Sequence, residues 1–415
     1  MNPKKDKVKI PFQLINNLIF ISVKLNSVPM TFLLDSGVHE TILLGLEEHK
    51  EVDLYQTEIV LLGGLGSDEP VKAIKSKHNA LQITKHLQDN HHTVLTVLDE
   101  DINFSTTVGI PVNGIIGYHF FKSFLVEIDY EKKVIWVRQH DAAINKRNYA
   151  PIPINIEDYK PHITATITFN NKLYPTSLLI DTGNSDAIWI YNRHTISLEL
   201  PVKNFDDYLG KGFSGHIYGK RAKIERFKLQ NFVFEQPYVV FPDSASVNKI
   251  ALLKNRTGSI GSEILRRFNM LIDYKNEYLY IKKNQYFNEP FTFNMSGLEI
   301  HHSGLQWVKQ KSYEERSIVT FKDVAYYERE SQAPIYTFDL KPIYVVVSVR
   351  ENSPADLAGI KVGDILYKIN GKNAHNMTLQ KINNLLKQNE EKLINIEVIR
   401  AKKRLIYSFK LKDVL

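Results

Sequence analysis

Two short stretches carry residue types suited to hydrolysis. Phe32-Leu33-Leu34-Asp35-Ser36-Gly37 and Leu178-Leu179-Ile180-Asp181-Thr182-Gly183 each run from an apolar strand into a carboxylate, a hydroxyl residue and a glycine. By chance, an Asp-[Ser/Thr]-Gly triplet should occur about 0.2 times in a chain this long at average residue usage. Two copies in matching apolar settings therefore carry weight that one would not. Two carboxylates about 3 Å apart cannot both ionise, so such a pair shares one proton. The ionised member draws a proton from water as general base; the protonated member polarises a carbonyl, and the roles then reverse. That chemistry breaks a peptide bond without a metal or a covalent intermediate.

The neighbouring residues fit the task. The hydroxyls of Ser36 and Thr182 can cross-link the two loops, and Gly37 and Gly183 let backbone N–H groups approach the carboxylates. The surroundings repeat as well. Ile115-Ile116-Gly117, then Phe124, then Val126 to Tyr130 follow Asp35; Ser259-Ile260-Gly261, then Phe268, then Leu271 to Tyr274 follow Asp181. The aspartates lie 146 residues apart (35 to 181), and the glycine and Asp-Tyr landmarks 144 (117 to 261, 129 to 273). Three landmarks in one order at nearly one offset read as an internal duplication. Two structural copies are expected to meet around the two aspartates.

The elements that must position these residues read as short strands. Leu18 to Leu25 and Met30 to Leu34 flank an Asn26-Ser27 turn, and Ile163 to Phe169 and Leu173 to Ile180 flank Asn170-Asn171. Gly63, Gly64, Leu65 and Gly66 suit a hairpin tip rather than a phosphate loop, because no Gly-Lys-[Ser/Thr] follows. A second tip is expected around Gly212 and Phe213. Tyr118 to Phe124 reads as a short helix. Asp129 and Asp273 read as turn formers before tyrosines. His39, and His78, His86, His91 and His92 further on, read as solvent-facing loop residues. No metal site and no cofactor are expected, since none of these spacings matches a helical ligand pair.

After Asn288-Glu289-Pro290 the pattern changes. A β-branched run, Tyr344 to Val349, leads to Ser353-Pro354, which predicts a helix start. Gly359 ends that helix. Ile365 to Ile369 and Asn370-Gly371 predict a strand and a tight turn. Leu379, Ile382, Leu385 and Leu386 line one helix face, and two strands follow, Leu393 to Arg400 and Leu405 to Leu411. The expected division is residues 1–145, 146–286 and 290–415.

On these residues the first two segments resemble the aspartic peptidases of the pepsin and retropepsin clan, with both half-sites in one chain, across roughly residues 10–285. The resemblance implies a mostly β, two-lobed pseudo-dimer of β-barrels like a fused retropepsin dimer. It implies Asp35 and Asp181 as the catalytic pair, supported by Ser36, Gly37, Thr182 and Gly183. It also implies substrate flaps at Gly63 to Gly66 and at Gly212-Phe213. The tail resembles a bacterial-type PDZ domain, on Ser353-Pro354-Ala355, Ala358-Gly359-Ile360, Gly363-Asp364-Ile365-Leu366 and Ile369-Asn370-Gly371. That resemblance implies an α+β module that takes an extended peptide by strand addition. Ser296, Gly297 and Leu298 are expected to form the nest for the peptide's terminal carboxylate.

Composition bounds the rest. Lys and Arg number 53 against 46 Asp and Glu, a net +7 that is mild for 415 residues. The basic residues are scattered, Arg266-Arg267 among them, and read as solvated surface, not as a nucleic-acid stripe. There is no cysteine, which excludes disulfides and thiol nucleophiles. Met1 to Lys9 is basic with no apolar core, so neither a signal peptide nor a membrane span is read. An exported chain with its signal removed is slightly favoured over a cytoplasmic one. The partners expected are a peptide or protein substrate and a C-terminal peptide for the PDZ module, with the chain's own Lys412-Asp413-Val414-Leu415 as one candidate. The protein is expected to act as a monomer. The leading reading is an aspartic-type endopeptidase. The alternatives are a lapsed protease-fold scaffold that binds peptides without cutting them, motivated by Val38-His39 after the first loop, and, more weakly, a carboxylate-pair glycosidase.

Overall fold

Alternating apolar residues and asparagine-rich turns set the strands. Leu18–Leu25 and Val28–Leu34 are joined by Asn26 and Ser27 at φ 47° and 73°. Lys160–Phe169 and Lys172–Ile180 are joined by Asn170 and Asn171 at φ 49° and 57°. Two successive positive-φ residues give the turn whose twist matches a β-hairpin, and asparagine tolerates that conformation best after glycine. The computed structural model describes residues 2–3, 6–45, 51–63, 70–99, 102–191, 199–213, 215–247, 256–312 and 335–415. The protein is mostly β. Its chain forms two units, Met1–Met295 with Lys412–Leu415, and Ser296–Leu411. No helix among the described residues is long and apolar enough to cross a membrane.

Within the first unit the two halves repeat the same central strand arrangement. Gly114–Ile116 lies parallel to Phe32 to Leu34 and antiparallel to Thr41–Leu43. Gly258–Ile260 lies parallel to Leu178 to Ile180 and antiparallel to Ile188–Ile190. Each half builds its own sheet around this core, and the halves join in a third sheet. In that sheet Leu125–Asp129 of the first half pairs with Phe268–Asp273 of the second, Val126 opposite Ile272 and Ile128 opposite Met270. Val134–Arg138 and Lys7–Pro11 extend it on one side, Tyr278–Lys283 and Ala150–Pro153 on the other. One hydrophobic core runs through both halves, which is why they form one unit. Asp129 and Asp273 each cap a turn, their carboxylates accepting from the backbone N–H of Lys132 (2.9 Å) and Asn276 (3.2 Å).

Two surface expectations change. The histidines at 78–92 do not lie in a loop: Val71–Thr84 and Leu87–Val97 form a long hairpin, with only His86 at its turn. His92 is buried, held between the Thr41 hydroxyl (2.7 Å) and Asp89 (2.9 Å). Arg267 is 1% exposed. Its guanidinium donates to the Glu263 carboxylate at 2.7 Å, and to the carbonyls of Glu263, Phe287 and Glu289. Adjacent basic residues do not reveal which of the two turns inward.

Among the described residues the second unit is a six-stranded sheet with two α-helices, the short strand Lys372–Asn373 pairing with Ile365–Ile369. Leu298–Ser312 and Ile335–Val349 form a hairpin of two 15-residue strands, followed by Ile365–Ile369, Leu393–Arg400 and Lys403–Lys410. Ser353 caps Pro354–Ala358 by accepting from Asp356 N–H (3.3 Å), and Gly359 ends it at φ 96°. Asn370 and Gly371, at φ 47° and 76°, make the tight turn. Leu379, Ile382 and Leu386 bury one face of Leu379–Leu386. Beyond residue 303 the hairpin leaves the core, with Leu305, Trp307, Phe338 and Leu340 exposed.

A bidentate ion pair closes this unit. The Asp364 side chain is fully buried, and Arg400 Nε and Nη2 reach its two oxygens at 2.6 and 2.7 Å. Nη2 also donates to the Gly359 carbonyl at 3.0 Å. Arg400→Ala should destabilise the unit by about 3 kcal/mol, because it strands a buried carboxylate. Urea unfolding of the full chain, followed by a probe in this unit, measures the loss; a change below about 1 kcal/mol would contradict the assignment.

Candidate functional site

The two Asp-[Ser/Thr]-Gly loops meet. Each apolar strand ends where its parallel neighbour still runs: Asp35 N–H donates to the Ile116 carbonyl (2.9 Å), and Asp181 N–H to the Ile260 carbonyl (3.0 Å). Gly117 and Gly261 then let the following chain pass close behind each loop. A Cβ at Gly117 would stand 2.7 Å from the Asp35 carbonyl oxygen, and one at Gly261 would stand 2.9 Å from that of Asn184. No larger residue fits either crossing.

Between the loops the hydrogen bonds are reciprocal. Ser36 N–H donates to Thr182 Oγ1 (3.0 Å), and Thr182 N–H to Ser36 Oγ (3.1 Å). Ser36 Oγ donates onward to the Ile180 carbonyl (2.6 Å), and Thr182 Oγ1 to the Leu34 carbonyl (2.9 Å). Both hydroxyl residues are buried, so these four bonds are shielded from water and hold the loops in one relative position.

That lock sets the carboxylates together. Gly37 N–H donates to Asp35 Oδ1 at 2.7 Å, and Gly183 N–H to Asp181 Oδ1 at 3.1 Å. The Asp35 carboxylate lies against Gly183, where any Cβ would collide with it. Both Oδ1 atoms converge on Gly37: a Cβ there would stand 3.1 Å from that of Asp35 and 3.4 Å from that of Asp181. Burial, and next the Asp181 charge, push the Asp35 carboxyl well above the usual carboxylate range. Burial also raises Asp181, while Arg256 and the amides of Gly183 and Asn184 oppose the rise. Lys160 opposes it at both carboxylates. The pair thus differs in its surroundings, with the cations favouring ionised Asp181.

Sequence reasoning missed several contributors. The turn at Asp158-Tyr159, from the second half, reaches the first: Tyr159 stacks on His39 at 3.8 Å between centroids and edges onto Tyr118. In the matching position of the first half, Asn17 donates to the Ser185 carbonyl (3.0 Å) and to Glu263 (2.7 Å). Lys160 follows the same turn. The duplication itself could have found Tyr159, since the Asn16-Asn17 turn precedes Asp35 much as Asp158-Tyr159 precedes Asp181. Beside the first loop, His39, Glu40 and His119 bring potential metal-ligating atoms within 4.8 Å of one another.

Of the expected flap residues, Gly63 directly follows Glu58–Leu62, whereas Gly64, Leu65 and Gly66 lie outside the described residues. Gly212 ends Asn204–Gly212, which pairs with Gly215–Lys223. Phe213, at that tip, packs edge-on against Phe104 of the first half, with ring centroids 6.2 Å apart.

In the second unit, Ser296, Gly297 and Leu298 open the first strand. Leu298 N–H donates to Ser296 Oγ (3.1 Å), and the carbonyls of Ser296 and Gly297 accept from Ala355 and Arg350 (3.1 and 2.8 Å). These groups tie the strand to the helix start at Pro354. Among the described residues Leu298–Ser312 has one strand neighbour, which leaves its other edge open, and Leu379–Leu386 packs beside it. The tail packs on the first unit, where Lys223 Nζ reaches Asp413 (2.7 Å) and the Leu415 carbonyl (3.3 Å). No curated protein matches the chain. The PDZ domain family matches residues 345–400, the segment that holds the capped helix, the Asp364–Arg400 pair and the helix at 379–386, and the chain carries a PDZ domain there.

Proposed function

We propose that the protein is an aspartic-type endopeptidase whose PDZ domain recruits peptide or protein substrates. The observation that carries this reading is the reciprocal Ser36–Thr182 lock, which presses Asp35 and Asp181 into one proton-sharing pair. Asp35 holds the proton, and Asp181, which alone of the two faces the Arg256 charge as a leading opposing cause, is ionised. Water held between them gives a proton to Asp181 as its oxygen bonds to the scissile carbonyl carbon. Asp35 gives its proton to the carbonyl oxygen, forming a neutral gem-diol. The C–N bond then breaks as Asp181 returns its proton to the leaving nitrogen. Asp35 recovers one from the diol, which becomes the new carboxyl group. Atoms and charge balance without a metal or an acyl-enzyme.

The hairpin tip at Gly212-Phe213 would close over the substrate as a flap. A recruited peptide would add to the open edge of Leu298–Ser312 beside Leu379–Leu386. If the tail served as the ligand, the Lys223–Asp413 contact would first have to break.

Incubation of the full chain with a peptide library tests the reading. Cleavage should appear between acidic and neutral pH and be suppressed by pepstatin. It should fall at low pH as Asp181 takes a proton, and at high pH as Asp35 loses one. Peptide binding without products at any pH would establish a non-cleaving scaffold instead.

A further inference from the structure

We propose that His39, Glu40 and His119 form a binding site for a divalent transition-metal ion of the zinc type, beside the Asp35 loop. His39 and Glu40 follow the loop that carries Asp35. His119 is the second residue of the helix Tyr118–Ser123, which starts just after Gly117. The two segments are bonded to each other, Tyr118 N–H donating to the Val38 carbonyl at 2.9 Å. That crossing brings Glu40 and His119, 79 positions apart in the chain, onto one spot.

The geometry suits a small ion. Glu40 Oε2 lies 3.1 Å from His119 Nε2, and Glu40 Oε1 3.8 Å from His39 Nδ1. With one ligand atom from each residue, the three lie within 4.8 Å of one another; ligands of a tetrahedral ion stand roughly 3.4 Å apart, so side-chain rotations that draw them together by up to about 1.4 Å complete the site. Two imidazoles and one carboxylate form a zinc-type donor set, and three protein ligands leave a fourth position for water. The rings are also held: Tyr159 stacks flat on His39, with 10° between the planes. Beside His119 a cavity of about 140 Å³ is lined by that residue with Asp89, His91, His92, Thr93 and Ser123, so solvent reaches the His119 ring.

A bound ion would clip the Asp35 loop to the helix behind it and restrict the movement of the loop. The site stands on these residues alone and does not depend on the peptidase reading.

Cobalt(II) titration of the chelator-treated full chain tests it, read by visible absorption. One equivalent should produce the intense d–d bands of a tetrahedral site, and zinc should abolish them by displacement. His39→Ala and His119→Ala should each weaken cobalt binding about 100-fold or more and lose the thermal stabilisation that zinc gives the parent protein. His91→Ala should leave the bands intact, which separates this cluster from the nearby His78–His91 contact of 3.0 Å. Circular dichroism confirms that each variant folds. Absence of tetrahedral bands in the parent protein, or bands unchanged in folded His39→Ala and His119→Ala, would overturn the proposal and leave Glu40–His119 as an ordinary ion pair.

Discussion

Asp35→Asn and Asp181→Asn should each reduce peptide cleavage by about 10³-fold or more, since each removes one half of the acid–base pair. The fold should survive, because the asparagine oxygen can still accept from Gly37 or Gly183 and the Ser36–Thr182 lock is untouched. Stability supplies a second readout. Burial and the Asp181 charge raise the Asp35 carboxyl in the folded state, so the folded protein binds that proton more tightly than the unfolded chain does. A raised carboxyl costs nothing while both states are protonated. As pH climbs through the ordinary carboxylate range the unfolded chain ionises first, and folding loses free energy until the folded group ionises too. An amide at this position carries no such penalty. Asp35→Asn should therefore melt higher than the parent at neutral pH, with the gap closing in strong acid. Turnover retained in either variant would end the peptidase reading. A melting gap independent of pH would mean the Asp35 carboxyl is not raised in the folded state.

Arg267→Ala should cost about 3–5 kcal/mol, the range for removing one partner of a buried ion pair. Its guanidinium fills the space between the short helix Ser262–Leu265 and the segment at 284–291, stacks on Phe291 at 4.0 Å, and serves the carbonyls of Glu263, Tyr286, Phe287 and Glu289 besides the Glu263 carboxylate. Arg267→Lys should recover little, because an ammonium cannot reproduce the planar fork. The effect should extend across the halves: Glu263 also accepts from Asn17, which anchors the turn of the first half beside the second loop. Denaturant unfolding measures the loss, and a cost below about 1 kcal/mol would show that the site collapses without it.

Much of this arrangement was legible in the residues. The paired Asp-[Ser/Thr]-Gly loops and the Ile-Gly crossings at 117 and 261 repeat at a fixed offset, and their asparagine turns announce positive φ. The PDZ elements were legible because Ser353-Pro354, Gly359 and Asn370-Gly371 mark their own boundaries. What stayed hidden depends on which way a side chain faces or which distant residue it meets. Arg267 looks like its neighbour Arg266 until the segment at 284–291 folds over it. His92 reads as polar loop because Thr41, 51 positions away in the chain, meets it only in the folded protein. The long hairpin at 298–312 and 335–349 runs out from the core beyond residue 303, where the alternating Tyr336, Phe338 and Leu340 are exposed, so their pattern marks a strand without a core face to bury it. His39, Glu40 and His119 converge only because the chain passes behind the Asp35 loop at Gly117.

The sheet shared by the halves also constrains biosynthesis. A ribosome that has released only the first 145 residues exposes Leu125–Asp129 with an unsatisfied backbone edge, because its partner at 268–273 has yet to be translated. For that interval the nascent chain presents a template for pairing with another copy of itself. A first half expressed alone should expose the same edge and self-associate more readily than the full chain.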